Sequence, residues 1–425
     1  MLKIFIHKLK LTFSDKALRN KIFFVLGALV IFRALAAIPI PGVDTAALAN
    51  FLANNEFLGM LNMFSGGGLM NLSIVMLGVG PYITASIIMQ LSTVMSTKMK
   101  KLQTEEGEAG RLKFTQYSRY LTVPLAAVQG FSFLTLLQRQ GVVAQMDIQL
   151  LIINVFVIIA GSMLLMWVGE LVTEFGIGNG VSLIIFAGIV AGLPNTIGQL
   201  LFNYDPSQIP MYIGFSALVV LVTAAVVFIT EAERPVPITY SRQARQGSTY
   251  GAGAATYLPL RVNQAGVIPI IFALSLLLMP QMMSQVLAGL DIVYLSAGAQ
   301  SVAAFLANTI NYAIIYFILV FAFTYFYTAV TFDPDQIATN LQKSGGYVHG
   351  LRPGEATAEY LGHVITRITL FGALFLAVIA VLPVGLQMVT GNTSLAIGGT
   401  ALLIAVSVVL DLVKKVDAQV SVREY

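Results

Sequence analysis

Side chains able to do chemistry are few in this 425-residue chain. There is no cysteine, and the only histidines are His7, His349 and His363. A thiol nucleophile, a disulfide and a Cys-ligated metal are therefore excluded, and no HExxH pair exists to hold zinc. No GxSxG, GxxxxGK or GxGxxG occurs; GIGNG at 176–180 has the wrong spacing for a dinucleotide site, and no strand precedes it. No acidic residue lies inside the long apolar runs. Ion-coupled carriers and intramembrane aspartyl proteases usually need buried carboxylates, so this counts against both, although backbone carbonyls also bind cations. No catalytic, cofactor-binding or metal-ligating residue is expected. Arg352, in GLRPGE, is the side chain with the clearest chemical potential. Pro353 fixes a turn and Gly350 and Gly354 flank it, so the guanidinium should stand at a loop tip. Its planar fork of donors suits a phosphate or a carboxylate; a solvated loop charge is the simpler reading. What remains for function is a path with an apolar lining.

The elements that must form that path follow from composition. The chain is 57% hydrophobic and 10% charged, against about 25% charged in soluble domains. It reads as a polytopic, all-α membrane protein. A span needs about 20 apolar residues, and ten such runs occur: 22–41, 73–95, 120–138, 149–169, 181–200, 211–230, 266–288, 303–330, 368–388 and 394–410. Arg33 is the only charge within them. It snorkels along its helix or pairs with a neighbour, and the sequence assigns it no role. Gly176/Gly180 and Gly188/Gly192 are GxxxG pairs that predict close helix packing.

Ten spans place both termini on one side. Of the 24 Lys and Arg residues, only Arg139 falls on the other side and Arg33 inside a span; the remainder lie before span one, in 96–119, 231–265 and 331–367, and in the tail. That bias orients the termini and basic loops to the cytoplasm of a cell inner membrane. The N-terminal MLKIFIHKLKLTFSDKALRNK lacks a cleavage motif and reads as an amphipathic helix on the membrane surface rather than a signal peptide. The long loops 231–265 and 331–367 show no pattern able to bury a core, and read as solvated linkers or as docking sites for a soluble partner. Five spans repeated once must be inverted. This predicts halves 1–200 and 201–425 joined at 201–210, although no convincing sequence match links them.

One stretch organises the chain: FSGGGLMNLSIVMLGVGPYITASIIMQL, from Phe64 to Leu91. The glycine run cannot hold a helix well, the next residues are short and weakly polar, and a proline-bearing span follows. Two readings stand: a loose outer loop before an ordinary span, or a mobile plug beside a pore-lining helix.

The motifs resemble the SecY family, the pore subunits of Sec protein translocases. The markers are IPIPGVD at 38–44, MFSGGGL at 63–69, PYITASIIMQL at 81–91, GEAGR at 107–111, GIGNGVSLIIFAGIVAGLP at 176–194, LPLRVNQAGVIPIIFA at 258–273 and NLQKSGGYVHGLRPGEATAEYL at 340–361. Seven in one order make the resemblance specific, and it covers essentially the whole chain. It implies a clamshell of two inverted five-helix halves around a central pore. A lateral gate would open between spans two and three on one side and seven and eight on the other. It also implies a protein-conducting channel that passes unfolded secretory polypeptides and releases transmembrane segments into lipid. The implied partners are SecE, SecG, the SecA motor ATPase, the ribosome through its rRNA, signal peptides, nascent chains and membrane lipid. Energy must come from the motor or the ribosome, because the chain has no nucleotide motif.

Carried over by motif, the resemblance implies an apolar pore ring of Val79, Ile83, Ile185, Ile189, Ile271 and Ile404. Val79 stands where the family more often has Ile, which should widen the ring slightly. The pairs 79/83 and 185/189 are spaced i, i+4 and so share a helix face; such a ring gates by dewetting. The plug corresponds to about 57–71, with Phe64, Ser65, Gly66, Gly67, Gly68 and Leu69 as plug and hinge residues. Gln90, Gln129 and Ser275 are lateral-gate candidates, equally readable as scattered helix–helix hydrogen bonds. Arg245, Arg261, Arg352, Pro353 and Gly354 are expected to dock a cytoplasmic partner. A secondary transporter for a small solute is the alternative, but it needs a midplane polar site and the spans offer only amides and hydroxyls. A scaffold or lipid-handling protein is the third reading.

Overall fold

The computed structural model describes residues 15–41, 65, 67–69, 71–104, 106–139, 141, 143, 146–202, 209–240, 255–287, 298, 300–302, 304–306, 308–390 and 393–421. The chain divides into two compact units. One comprises Met1–Gly214, Leu274–Tyr312 and Pro383–Tyr425, the other Phe215–Ala273 and Ala313–Leu382.

In the first unit the elements are α1 (Lys16–Ala36), α2 (Gly80–Met95), α3 (Thr97–Thr104), α4 (Gly107–Arg139), α5 (Ile148–Phe175), α6 (Gly180–Phe202) and the start of α7 (Ile209–Glu231). Helix α1 opens on Asp15, whose carboxylate accepts from the Ala17 amide at 2.8 Å, which satisfies one of the free N-terminal donors. It stops before Ile38-Pro39-Ile40-Pro41, where each proline pushes the preceding residue out of helical backbone. The span expected over 73–95 is helical only from Gly80. Residues 74–79 form successive turns instead, with Gly78 at φ +58°. Pro81 thus falls in the first turn, where its missing N–H costs nothing. Helix α2 packs against α3, α4 and α5, and α6 packs on α5. The 96–119 loop is largely helical, because α3 and the first turns of α4 occupy it.

Close packing at the α5–α6 turn explains one GxxxG pair. A Cβ on Gly180 would overlap the Gly169 carbonyl, and one on Gly176 would meet the Val172 carbonyl at 2.5 Å and Val25 at 2.8 Å. The other pair does not behave this way: Gly192 has nothing within 4 Å of its Cβ position. Helix α12 (Thr393–Ser421) closes this unit and packs on α6. Near its end Val420 packs with Leu18 of α1 and Ile177 of the α5–α6 turn.

The second unit holds most of α7, β1 (Glu233–Tyr240), β2 (Ala255–Arg261), the start of α8 (Ile268–Leu287), most of α9 (Thr309–Thr331), α10 (Pro334–Lys343), β3 (Gly346–Val348) and most of α11 (Glu355–Thr390). Here the expectation of solvated linkers fails. The loops 231–265 and 331–367 together build an antiparallel sheet in the order β2-β1-β3, with Val236 opposite Leu258 and Ile238 opposite Val348. Val236, Leu260 and Val348 are buried against Leu361, Val364 and Ile365 of α11. Proline is excluded from doubly paired strand positions. Pro235 and Pro237 lie in the part of β1 paired only with β2, since β3 joins at Ile238. Helix α10 is capped by Asp333, whose Oδ1 accepts from the Asp335 and Gln336 amides at 3.1 Å. Within this unit Phe272 meets Phe323 and Tyr327 edge to face, at 6.1 and 6.2 Å.

A helix occupies each of the ten apolar runs. Among the described residues, five are long and apolar enough to cross a bilayer: Gly107–Arg139, Ile148–Phe175, Tyr212–Glu231, Thr309–Lys343 and Glu355–Met388. Gly180–Gly192 and Ile268–Leu277 are shorter apolar helices. The long helices expose Phe156, Val220, Phe228, Ile314 and Phe371, far more apolar surface than water tolerates on a monomer.

Candidate functional site

Residues 65–79 carry the unusual geometry. Ser65 is buried and its Oγ accepts from the Leu69 amide at 3.1 Å. The Leu72 amide donates to the Leu69 carbonyl at 3.0 Å, and the Ser73 amide to the Gly68 carbonyl at 2.9 Å. Two backbone bonds then tie the segment to the chain just after α1: the Ile40 amide donates to the Leu72 carbonyl at 2.8 Å, and the Ile74 amide to the Ile38 carbonyl at 3.0 Å. They flank an isolated antiparallel bridge between Pro39 and Ser73. The Asn71 side chain adds a third tie, donating to the Ala36 carbonyl at 3.2 Å. Gly67, at φ +82°, supplies a backbone that side-chain-bearing residues rarely adopt. Leu72, at φ +40°, does so despite its side chain, a strained position held by its surroundings.

Those surroundings are apolar. Leu69, Leu72, Met76 and Leu77 are buried with Ile40, Phe133, Leu134, Leu137 and Ile158. Helix α5 admits the segment through Gly161, where a Cβ would overlap the Ile74 carbonyl oxygen. Asn154, about two turns earlier on the same face of α5, donates to the Pro41 carbonyl at 3.3 Å. A glycine run followed by a buried, turn-rich root thus leads directly into α2. Phe64, Gly66 and 57–63 lie outside the described residues.

The six apolar positions expected to form a ring are all buried: Val79, Ile83, Ile185, Ile189 and Ile404 in the first unit, Ile271 in the second. Ile87, Ile184 and Ile270 on the same helices are buried too, whereas Ile153 of α5 at 53% and Ile314 of α9 at 54% are open. Val79 is the residue that caps α2, so it stands where the turns give way to helix.

Gln90 is half-buried on α2; its Nε2 donates to Ser86 Oγ of the same helix at 3.4 Å. Its Oε1 is buried with no partner among the described residues. Gln129 is half-buried on α4 and Ser275 buried on α8. Arg352 is exposed in a non-helical turn between Gly350 and Gly354, both in left-handed backbone. Its carbonyl accepts from the buried Thr357 hydroxyl at 2.9 Å, which fixes the turn to the start of α11. Arg261 is exposed at the end of β2, opposite Glu233. Arg245 lies outside the described residues.

Two features escaped the sequence reading. Arg119 and Glu170 form a two-pronged ion pair between α4 and α5, with Nε to Oε1 at 2.9 Å and Nη2 to Oε2 at 2.8 Å. Both residues sit just past the ends of their apolar runs, on helices that continue. Arg33, near the end of α1, brings its Nη1 to 3.3 Å from the Cβ position of Gly67.

Comparison with known proteins gives a consistent pattern. The family model described as SecY matches residues 73–413. The protein translocase subunit SecY of Mycobacterium bovis is 42% identical over 428 residues, covering 96% of both chains. Among solved structures, a SecY whose plug domain is described as stabilising the closed state of the channel matches with TM-score 0.66, at 20% identity over 93% of this chain and 91% of that one. Sec61 in a canine ribosome–channel complex matches with TM-score 0.60, at 19% identity over the same shares.

Proposed function

Because this chain belongs to the SecY family, we infer that it is the channel subunit of a protein translocase. It is a multi-pass membrane protein that conducts unfolded polypeptide across the bilayer and releases apolar segments sideways into lipid. The observation that carries the reading is the near full-length match at 42% identity, on a chain whose apolar helices surround no catalytic constellation in its sequence. A small-solute carrier is not favoured.

The finer reading assigns parts. Ten spans form two inverted halves, 1–200 and 201–425, around a central pore. Val79, Ile83, Ile185, Ile189, Ile271 and Ile404 form its constriction. Dry apolar side chains exclude ions by dewetting, yet they seal around a passing chain without sequence preference, since dispersion and apolar burial are non-directional. Residues 57–71 form the plug, and the buried turns 71–79 are its root. Gln90, Gln129 and Ser275 line the lateral gate. Arg352, Pro353 and Gly354, with Arg245 and Arg261, dock the cytoplasmic partner. The fixed turn supports this, because a backbone already held loses less freedom when the exposed guanidinium pairs with phosphate or carboxylate. SecE and SecG are the membrane partners, and SecA or the ribosome supplies the energy. The basic loops and both termini face the cytoplasm of the inner membrane.

Reconstitution of the chain with SecE, SecG and SecA in proteoliposomes tests this. ATP-dependent protection of a secretory protein supports the reading; uptake of a small solute with no protein protection would replace it with the carrier.

A further inference from the structure

We propose that the Arg119–Glu170 pair is a clasp that sets how readily the lateral gate opens, by holding the half of α4 before Pro124 on α5. The inference rests on the channel reading above, which makes α4 one wall of the gate. The pair is two-pronged, with Nε to Oε1 at 2.9 Å and Nη2 to Oε2 at 2.8 Å. That fork fixes orientation as well as distance. The two side chains are 43% and 19% exposed, so solvent screens the pair only in part. Arg119 directly precedes the apolar run 120–138, and Glu170 directly follows 149–169. The pair therefore joins α4 and α5 at one end of their spans.

The two halves of α4 are held differently. Beyond Pro124 the helix is packed: Phe133, Leu134 and Leu137 are buried with Ile158 of α5, and Gly130 admits Ile158 to 3.3 Å from its Cβ position. Before Pro124 the buried residues are Gly110, Ser118 and Thr122, whose small side chains gain little from packing. The two hydroxyls donate within their own helix, to the Phe114 and Ser118 carbonyls at 3.2 and 2.8 Å. Pro124 has no N–H for the Tyr120 carbonyl, so α4 is weakest where its halves join. Arg119 stands just before that break and reaches across to α5. Neutralising Glu170 would leave an uncompensated cation beside apolar helices. The near half of α4 should then swing off α5 about Pro124 and loosen the gate.

The complete translocase in proteoliposomes tests this with two readouts. The first is distance. The chain has no cysteine, so spin labels on Lys113→Cys and Glu174→Cys, both exposed positions, report the near halves of α4 and α5. Labels on Phe131→Cys and Phe156→Cys, also exposed, report the far halves. Glu170→Gln should lengthen the first distance and leave the second unchanged. The second readout is selectivity: export of a precursor with a shortened apolar signal, relative to one with an intact signal. Glu170→Gln should raise that ratio about fivefold, the upper end for a pair this open to solvent. Charge exchange, Arg119→Glu with Glu170→Arg, should return both readouts towards the parent values. A merely structural pair would lower export of both precursors together and leave the ratio alone. If Glu170→Gln fails to assemble, Arg119→Lys decides, with intermediate shifts expected because the charge stays and the fork is lost. Parent distances or a parent ratio in assembled variants would overturn the clasp and leave the channel reading standing. If the parent chain exports neither precursor, the channel reading fails and the distances alone decide the clasp.

Discussion

The Cα of Gly161 on α5 stands directly against the Ile74 carbonyl oxygen, so close that a Cβ at position 161 would overlap it. This contact sets how deeply residues 71–79, the proposed root of the plug, sit. Gly161→Ala must push back a buried backbone segment, and overpacking of this kind costs about 1–3 kcal/mol. Lower thermal stability of the purified complex, together with higher resting ion conductance, is the expected result. Gly161→Leu should prevent assembly. Alanine without effect on either measurement would mean that the root is not held there.

The bridge between Pro39 and Ser73 offers a lock. The flanking bonds, Ile40 to Leu72 and Ile74 to Ile38, leave 39 and 73 as a non-hydrogen-bonded antiparallel pair. Such pairs have Cα atoms about 4.5 Å apart, within disulfide reach. Pro39→Cys with Ser73→Cys should form a bond on oxidation in a protein without native thiols. If export requires the root to leave α1, the oxidised form should translocate several-fold more slowly and reduction should restore it. Equal rates in both forms would show that the root stays in place.

The ring prediction concerns Ile83 and Ile404, both buried. Asparagine at either position hydrates the constriction, so resting conductance should rise and defective signal sequences should be better tolerated. Planar-bilayer recording and an export assay check this. Wild-type behaviour in both variants would remove these residues from the constriction.

Much of this was legible in the sequence, and the gaps have physical causes. Apolar length finds helices because a bilayer demands it, and a helix occupies every expected run. The start of α2 was misplaced by seven residues because apolar length cannot see that Leu72 and Ile74 pair with the chain after α1 and that Met76, Gly78 and Gly80 then close three-residue turns in place of helical bonds. The sheet was missed for a different reason. Val236 and Ile238 alternate as a strand should, but Pro235 and Pro237 argue against one. Only the three-residue β3, more than a hundred positions later, shows that those prolines face an unpaired edge. The Arg119–Glu170 pair needs helices that outrun their apolar segments. The buried ring positions came from motif resemblance, since one apolar residue in a span looks like any other.

Arg352 stands exposed on a turn fixed by the Thr357 hydroxyl. Arg352→Glu should block motor-driven export while leaving insertion and SecE binding intact, because the residue touches no core. Arg352→Lys should be a partial defect through loss of the bidentate fork. Normal export by the glutamate variant would leave docking at this turn without support.

The central claim is that polypeptide passes through the apolar ring. A secretory chain stalled in transit and carrying a photoreactive residue at the membrane midpoint measures this directly. Adducts on Val79, Ile83, Ile185, Ile189, Ile271 and Ile404 are predicted. Adducts absent from those six and concentrated on open positions such as Ile153 and Ile314 would contradict a central protein-conducting pore.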